Sequence, residues 1–125
     1  MDVSYSKEIL NSPTKRYCEI YKITNIINGK IYIGQAVSHI LNHNKYRPYG
    51  HLKRFKTHIS EAFSKKKNQC HYLNNAIRKH GPTNFISELL EQCPLTLAGD
   101  RETYYINYYS SLIILSKVVS AFLMV

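Results

Sequence analysis

Acidic residues are scarce in this 125-residue chain. Eight Asp and Glu stand against 17 Lys and Arg, giving a formal net charge of +9 and a pI near 9.5. That imbalance favours a polyanionic partner, nucleic acid first and an acidic membrane second; the plainer reading is that surface lysine keeps the chain soluble. Cysteine is scarce too. Cys18, Cys70 and Cys93 are odd in number, far apart and without a Cys-x-x-Cys pair, which speaks against a disulfide framework or structural zinc site and fits a reducing, intracellular setting, cytoplasm or nucleus. The N-terminus, MDVSYSKEILNSPTKR, lacks an apolar core of signal-peptide length, so 1–16 is expected to be a polar leader. The apolar C-terminal run, SSLIILSKVVSAFLMV, is too short and too interrupted by Ser110, Ser111, Ser116, Lys117 and Ser120 for a membrane span. With 44% hydrophobic and 20% charged residues, what remains is one domain with a modest core, not a disordered polymer.

The chain is organised around 17–34, YCEIYKITNIINGKIYIG. Ile20, Tyr21, Ile23 and Thr24, then Ile31, Tyr32 and Ile33, are β-branched or aromatic, and Asn28-Gly29 between them is a hairpin signal. A two-residue turn there sets Ile27 opposite Lys30 and leaves Tyr21 and Tyr32 four residues out of step. A wider loop centred nearer Ile26 and Ile27 brings them closer. Either register pairs odd positions with even ones, so both tyrosines share one face.

Residues 35–50, rich in Asn, His, Tyr and Pro, read as a loop or irregular excursion ending at Pro48 and Gly50. His39, His43 and His51 lack a partner carboxylate or cysteine and do not make a metal site on their own; a basic, aromatic-containing loop that touches DNA is the more natural use. A helix is expected over 51–66, burying Leu52, Phe55, Ile59 and Ala62. His51, Arg54, His58 and Glu61 form a flanking stripe, with Arg54 and His58 one turn apart at the rim of a cleft or paired with Glu61 on a solvated face. Lys65, Lys66 and Lys67 close the helix and suit phosphate contact. A second helix is expected over 70–80, with Leu73, Ala76 and Ile77 inward and Gly81-Pro82 as its stop. A third strand follows at 84–91, closed by Cys93-Pro94, then a helix over 97–109 with Thr96 as candidate N-cap. Glu102 shares its face with Tyr105, Ile106 and Tyr109, an unusual place for a carboxylate.

Glu19-Ile20-Tyr21, Asn28-Gly29-Lys30 and Tyr32-Ile33-Gly34, followed by Arg54-x-x-x-His58 on the next helix and Glu102 on the last, resemble the GIY-YIG nuclease family over about 17–109. Two features depart from its pattern. Glu19 stands where the family name has glycine, and no asparagine follows Asn107, where relatives carry one that supports the site.

The resemblance implies an α/β fold, a small three-stranded, mainly antiparallel sheet flanked by helices in the order β-β-α-α-β-α. It also implies a phosphodiester hydrolase acting on DNA with Mg²⁺ or Mn²⁺. By the same resemblance Glu102 holds the metal, Arg54 the phosphate, Tyr21 is the general base, Tyr32 orients the site, and His58 assists in proton transfer or phosphate binding. His71 matches a histidine of some relatives. Lys30, Lys53, Lys65, Lys66 and Lys67 are the expected DNA contacts; Lys30 also lies on the strand face of Tyr32. The domain is expected over 17–110, with an apolar tail at 111–125 and DNA targeting left to a further domain or partner protein. Two other classes stay open: a DNA-binding module on the same fold that has lost cleavage, and a small basic interaction protein that docks through its tail.

Overall fold

The computed structural model describes residues 16–64 and 71–123, with side chains over 16–64 and 72–112. The expected leader up to residue 15, Lys65, Lys66, Lys67 and Cys70, and the side chains of His71 and of the apolar tail beyond Leu112 lie outside the described residues. In chain order come β1 (Tyr17–Asn25), β2 (Ile31–Val37), the short β3 (His39–Asn42) and β4 (Lys45–Pro48), α1 (Gly50–Ala62), α2 (His71–His80), β5 (Phe85–Pro94) and α3 (Ala98–Leu123). The fold is mixed α/β: a three-stranded antiparallel sheet of order β2-β1-β5, with the helices about it.

Strand β1 is central and carries apolar side chains on both faces, so both must be covered. Tyr21 and Ile23 pack with Ala36, Ala62, Leu73, Ile77 and Phe85 on the face of α1 and α2. Cys18 and Ile20 pack with Cys93 and Ala98 on the face of α3. Cys18 and Cys93 sit opposite each other on paired strands as buried free thiols, and burial pushes Cys18 up to about 11. They act as small apolar groups, as expected.

The β1–β2 connection is the wider of the two expected loops. It spans 26–30 and is closed by the Asn25 N–H donating to the Lys30 carbonyl at 2.9 Å and the Gly29 N–H donating to the Asn25 carbonyl at 2.7 Å. The Asn25 side chain also accepts the Ile27 N–H, and Gly29 takes φ +73°, a conformation that favours glycine. In the resulting register Tyr21 faces Gly34 and Ile23 faces Tyr32. The tyrosines share a face and stand two residues out of step, diagonal neighbours.

The excursion over 35–50 is more regular than expected. β2 runs on to Val37, and β3 pairs with β4 from His39↔Pro48 to Asn42↔Lys45. Its turn is made by His43 and Asn44 at φ 52° and 63°, the two positive angles that a tight hairpin turn needs. Helix α1 ends at Ala62, short of the expected 66, and Leu52 is 60% exposed instead of buried. The face toward the sheet carries His51, Phe55, His58 and Ala62, and Leu52 lies about 100° round from His51. Strand β5 reaches Pro94, Thr96 sits inside the 3-10 turn Leu95–Leu97, and α3 continues past 109 to Leu123.

Candidate active site

Tyr21 is 2% exposed, and its hydroxyl lies 3.0 Å from His58 Nε2. Its place depends on two local features. A register shift against β5 falls between Ile20 and Tyr21, where Ile20 pairs with Glu91 but Tyr21 with Leu89, a bulge that re-aims the strand at this point. Opposite, Gly34 leaves the room that the end of the Tyr21 ring fills; a methyl group there would collide with the Tyr21 hydroxyl. The last glycine of the second signature thus exists to admit the tyrosine of the first. The Tyr32 ring stands edge-on to His58, centroids 6.4 Å apart.

His58 is the buried centre of α1, not a rim group, with 1% of its side chain exposed. Burial, and then the positive charge of Arg54, push its pKa down to about 4, with Glu61 pulling the other way. Arg54 Nη1 donates to Glu61 Oε1 at 3.3 Å, so the Glu61 pairing weighed as the plain alternative is present. Burial works against the Arg54 charge, but Tyr21 and Glu61 beside it outweigh that and raise its pKa. His58 Nδ1 and Glu61 Oε2 are both buried without a hydrogen bond and face each other at 4.0 Å.

The depressed His58 pKa has a consequence for stability. Between the ordinary value of 6.5 and about 4 the unfolded chain binds the proton and the folded chain does not, so stability falls as pH drops through that window. Denaturant melts from pH 7 to pH 4 are expected to lose at most about 3 kcal/mol from this residue, and His58→Gln should flatten the slope above pH 4.5. A wild-type curve flat between pH 6.5 and 4.5 would contradict the buried neutral histidine.

Glu19, at the family's glycine position, closes the start of α1. Its Oε1 accepts the His51 backbone N–H and His51 Nδ1, both at 2.8 Å, and its Oε2 accepts Gln92 Nε2 at 3.1 Å. Burial alone would raise its pKa, but these bonds outweigh it and lower it. The helix has no side-chain cap from Tyr49, so this carboxylate from β1 satisfies its first donors. Gly50, at φ +69°, is required on two counts, since a Cβ would also meet Glu19 Oε1 at 2.5 Å. Glu19 thereby fixes α1, and with it Arg54 and His58, against the strand of Tyr21.

Glu102 is half-buried on α3, and its Oε2 accepts Gln35 Nε2 at 2.6 Å. It lines an open cleft of about 380 Å³ with Ile31, Tyr32, Ile33, Ile106 and Tyr109. The neighbouring Arg101 anchors the helix: Nε and Nη2 bind the two oxygens of Glu91 at 2.8 and 2.7 Å, and the Tyr105 hydroxyl donates to the same carboxylate at 2.9 Å. Tyr32 links the two halves of the site, touching His58 on one side and the Glu102 cleft on the other. Lys30 is exposed at the mouth of β2, and Lys53 Nζ is bound to the Pro48 carbonyl at 3.0 Å. His39 is buried against Ser38 and His51 is held by Glu19, so the loop histidines do not converge; among the described residues no group of three His, Cys, Asp or Glu is placed to hold a metal.

Sequence reasoning missed Glu19 as a cap, the Arg101–Glu91 anchor, Gln35 beneath Glu102 and the buried Asn74. Only the first had a signal, a carboxylate amid strand residues at a glycine position.

Neither a comparison with protein-family profiles nor one with curated proteins gives a match. Among solved structures, the catalytic domain of homing endonuclease I-TevI is similar at 28% identity and a TM-score of 0.55, over 77% of this chain and 91% of that one. Among the described residues no helix is long and apolar enough to cross a membrane. With that likeness, the strand order and the paired Tyr21–Gly34 and Tyr32 positions, the chain is similar in fold to the catalytic domain of a GIY-YIG nuclease.

Proposed function

We propose that the chain is a metal-dependent DNA endonuclease that hydrolyses phosphodiester bonds. What carries the reading is one constellation: the Tyr21 hydroxyl on His58, Arg54 beside both, and Tyr32 leading to the cleft of Glu102. The likeness to a homing-endonuclease catalytic domain supports the same reading.

A half-buried carboxylate, oriented by Gln35 and, among the described residues, outside any cluster of three His, Cys, Asp or Glu, is a poor zinc site. It fits Mg²⁺ or Mn²⁺, ions that keep several waters and bind through one or two carboxylates and the phosphates of the substrate. Glu102 would hold the ion, which when bound supplies Lewis acidity at the phosphoryl oxygens. Arg54 leaves Glu61 to present its planar fork to the scissile phosphate. Neutral His58, its Nδ1 turned toward Glu61, accepts the Tyr21 hydroxyl hydrogen bond at Nε2 and holds an oxygen lone pair of Tyr21 toward the attacking water, so that Tyr21 takes the water's proton as its own proton shifts toward His58. Since Tyr21 is buried, that water is one held against the bound phosphate, not a bulk molecule. Tyr32 orients the site between the two halves. Lys30, Lys53, Lys65, Lys66 and Lys67 hold the DNA backbone, and the net charge of +9 favours their task.

Nicking of supercoiled plasmid with and without Mg²⁺ tests the reading. Cleavage that requires the metal is the expected result. A well-folded chain that binds DNA in a salt-sensitive way and does not cut would instead be the binding module, with Glu19 and the missing asparagine after Asn107 as the first suspects.

A further inference from the structure

Beside Tyr32, away from the Glu102 cleft, lies a second groove of about 330 Å³ between the β1–β2 loop, α2 and the start of β5. The Tyr32 ring is a wall of both. The floor is apolar, from Ile23, Leu73 and Phe85, while Lys30 and Lys79 stand on its lining. Asn28 and Asn75 add amide groups, and none of the lining residues is acidic. Among the described residues neither lysine's ammonium group has an ion-pair partner. Tyr72, on the same lining, is 89% exposed, the highest of any large hydrophobic side chain described. Helix α2 thus carries an aromatic ring into solvent at the edge of a cationic, flat-floored groove that opens onto the site.

An apolar floor, a free ring, two unpaired cations and side-chain amides together suit one class of ligand. It must be flat and aromatic, carry edge hydrogen-bonding groups and bear negative charge. We infer that this groove binds a single unpaired nucleotide of the DNA strand passing the site, its base stacked on Tyr72 over the apolar floor and its phosphates on Lys30 and Lys79. The volume lies at the lower end of pockets that take small ligands, about 300 Å³ upward, room for one nucleotide and not for a duplex. The inference rests on the nuclease reading and deepens it. A frayed or single-stranded nucleotide next to the scissile phosphate becomes part of what the domain recognises, and DNA with a flap or unpaired stretch at the cut becomes a better substrate than blunt duplex.

The test is binding, read without metal so that it does not depend on cleavage. Fluorescence anisotropy of a labelled oligo-dT and of a duplex of equal length is measured at fixed salt for the full chain, Tyr72→Ala, Tyr72→Phe and Lys79→Ala. Base stacking predicts that Tyr72→Ala weakens oligo-dT binding about 10- to 100-fold and changes duplex binding less than about twofold, while Tyr72→Phe keeps wild-type affinity. Lys79→Ala should lower the salt dependence of oligo-dT binding by about one phosphate contact. The groove is overturned if wild type binds duplex but not oligo-dT, or if Tyr72→Ala leaves both affinities unchanged or lowers both alike. A wild type that binds neither DNA overturns the nuclease reading, and this inference with it. A chain that binds both DNAs with the expected Tyr72 pattern but cuts neither supports the groove and separates it from catalysis.

Discussion

Glu102→Ala is expected to lower metal-dependent plasmid nicking by at least about 100-fold, because in its proposed role it holds an ion whose Lewis acidity is worth several kcal/mol, and among the described residues no cluster of His, Cys, Asp or Glu is placed to hold that ion in its stead. The fold should not notice. Glu102 is partly exposed, its described hydrogen bond is to the exposed Gln35, and Arg101 and Tyr105 continue to hold α3 through Glu91. The unfolding midpoint should therefore stay within about 3 °C of wild type. The pairing of these outcomes is the point of the experiment, since a loss of activity with a large drop in midpoint would say only that the helix came loose. Gln35→Ala provides a graded control: it frees the carboxylate without removing it and should cost about 10-fold. A Glu102→Ala protein that cuts at the wild-type rate would remove Glu102 from the site.

The features legible in the sequence were those governed by parity and spacing. Alternation along β1 and β2 put Tyr21 and Tyr32 on one face whatever the turn, because a hairpin shift of two residues conserves which face each side chain takes. Gly81-Pro82 stopped α2 where expected, and Leu73 and Ile77 turned inward at helical spacing. What escaped were long-range decisions made by single polar side chains. The Asn25 side chain widened the β1–β2 loop, although Asn28-Gly29 is the stronger local turn signal. The β3–β4 hairpin turns on His43 and Asn44, without the glycine that usually marks such a turn. Glu19 caps a helix that begins thirty-one residues later, and its contact with His51 turns the first turn of α1 so that His58, and not Leu52, faces the sheet. No window along the chain contains that information. Helix α3 runs through 110–123 because nothing in the sequence breaks it; the serines that argue against a membrane span are tolerated in a helix.

Arg54→Ala should abolish nicking almost as completely as Glu102→Ala, yet for a residue so placed the result is ambiguous unless its second partner is changed too. Arg54 holds Glu61, and without it the half-buried Glu61 loses a charged donor, at a stability cost of about 1 kcal/mol. Its charge also helps to keep His58 neutral, so Arg54→Ala should let the His58 pKa climb back toward 6.5. A change in cleavage then has three candidate causes: the fold, a misprotonated histidine and the lost phosphate contact. The double variant Arg54→Ala/Glu61→Gln separates these causes. It removes the orphaned carboxylate and should recover most of the unfolding midpoint, while cleavage stays at least about 100-fold down at pH 8, where His58 is neutral with or without Arg54. Arg54→Lys keeps the charge and the Glu61 partner but lacks the fork that matches two phosphoryl oxygens, and should remain at least about 10-fold impaired with a near-normal midpoint. If the double variant regained wild-type nicking together with its stability, Arg54 would be a structural partner of Glu61, and the phosphate would have to be held elsewhere.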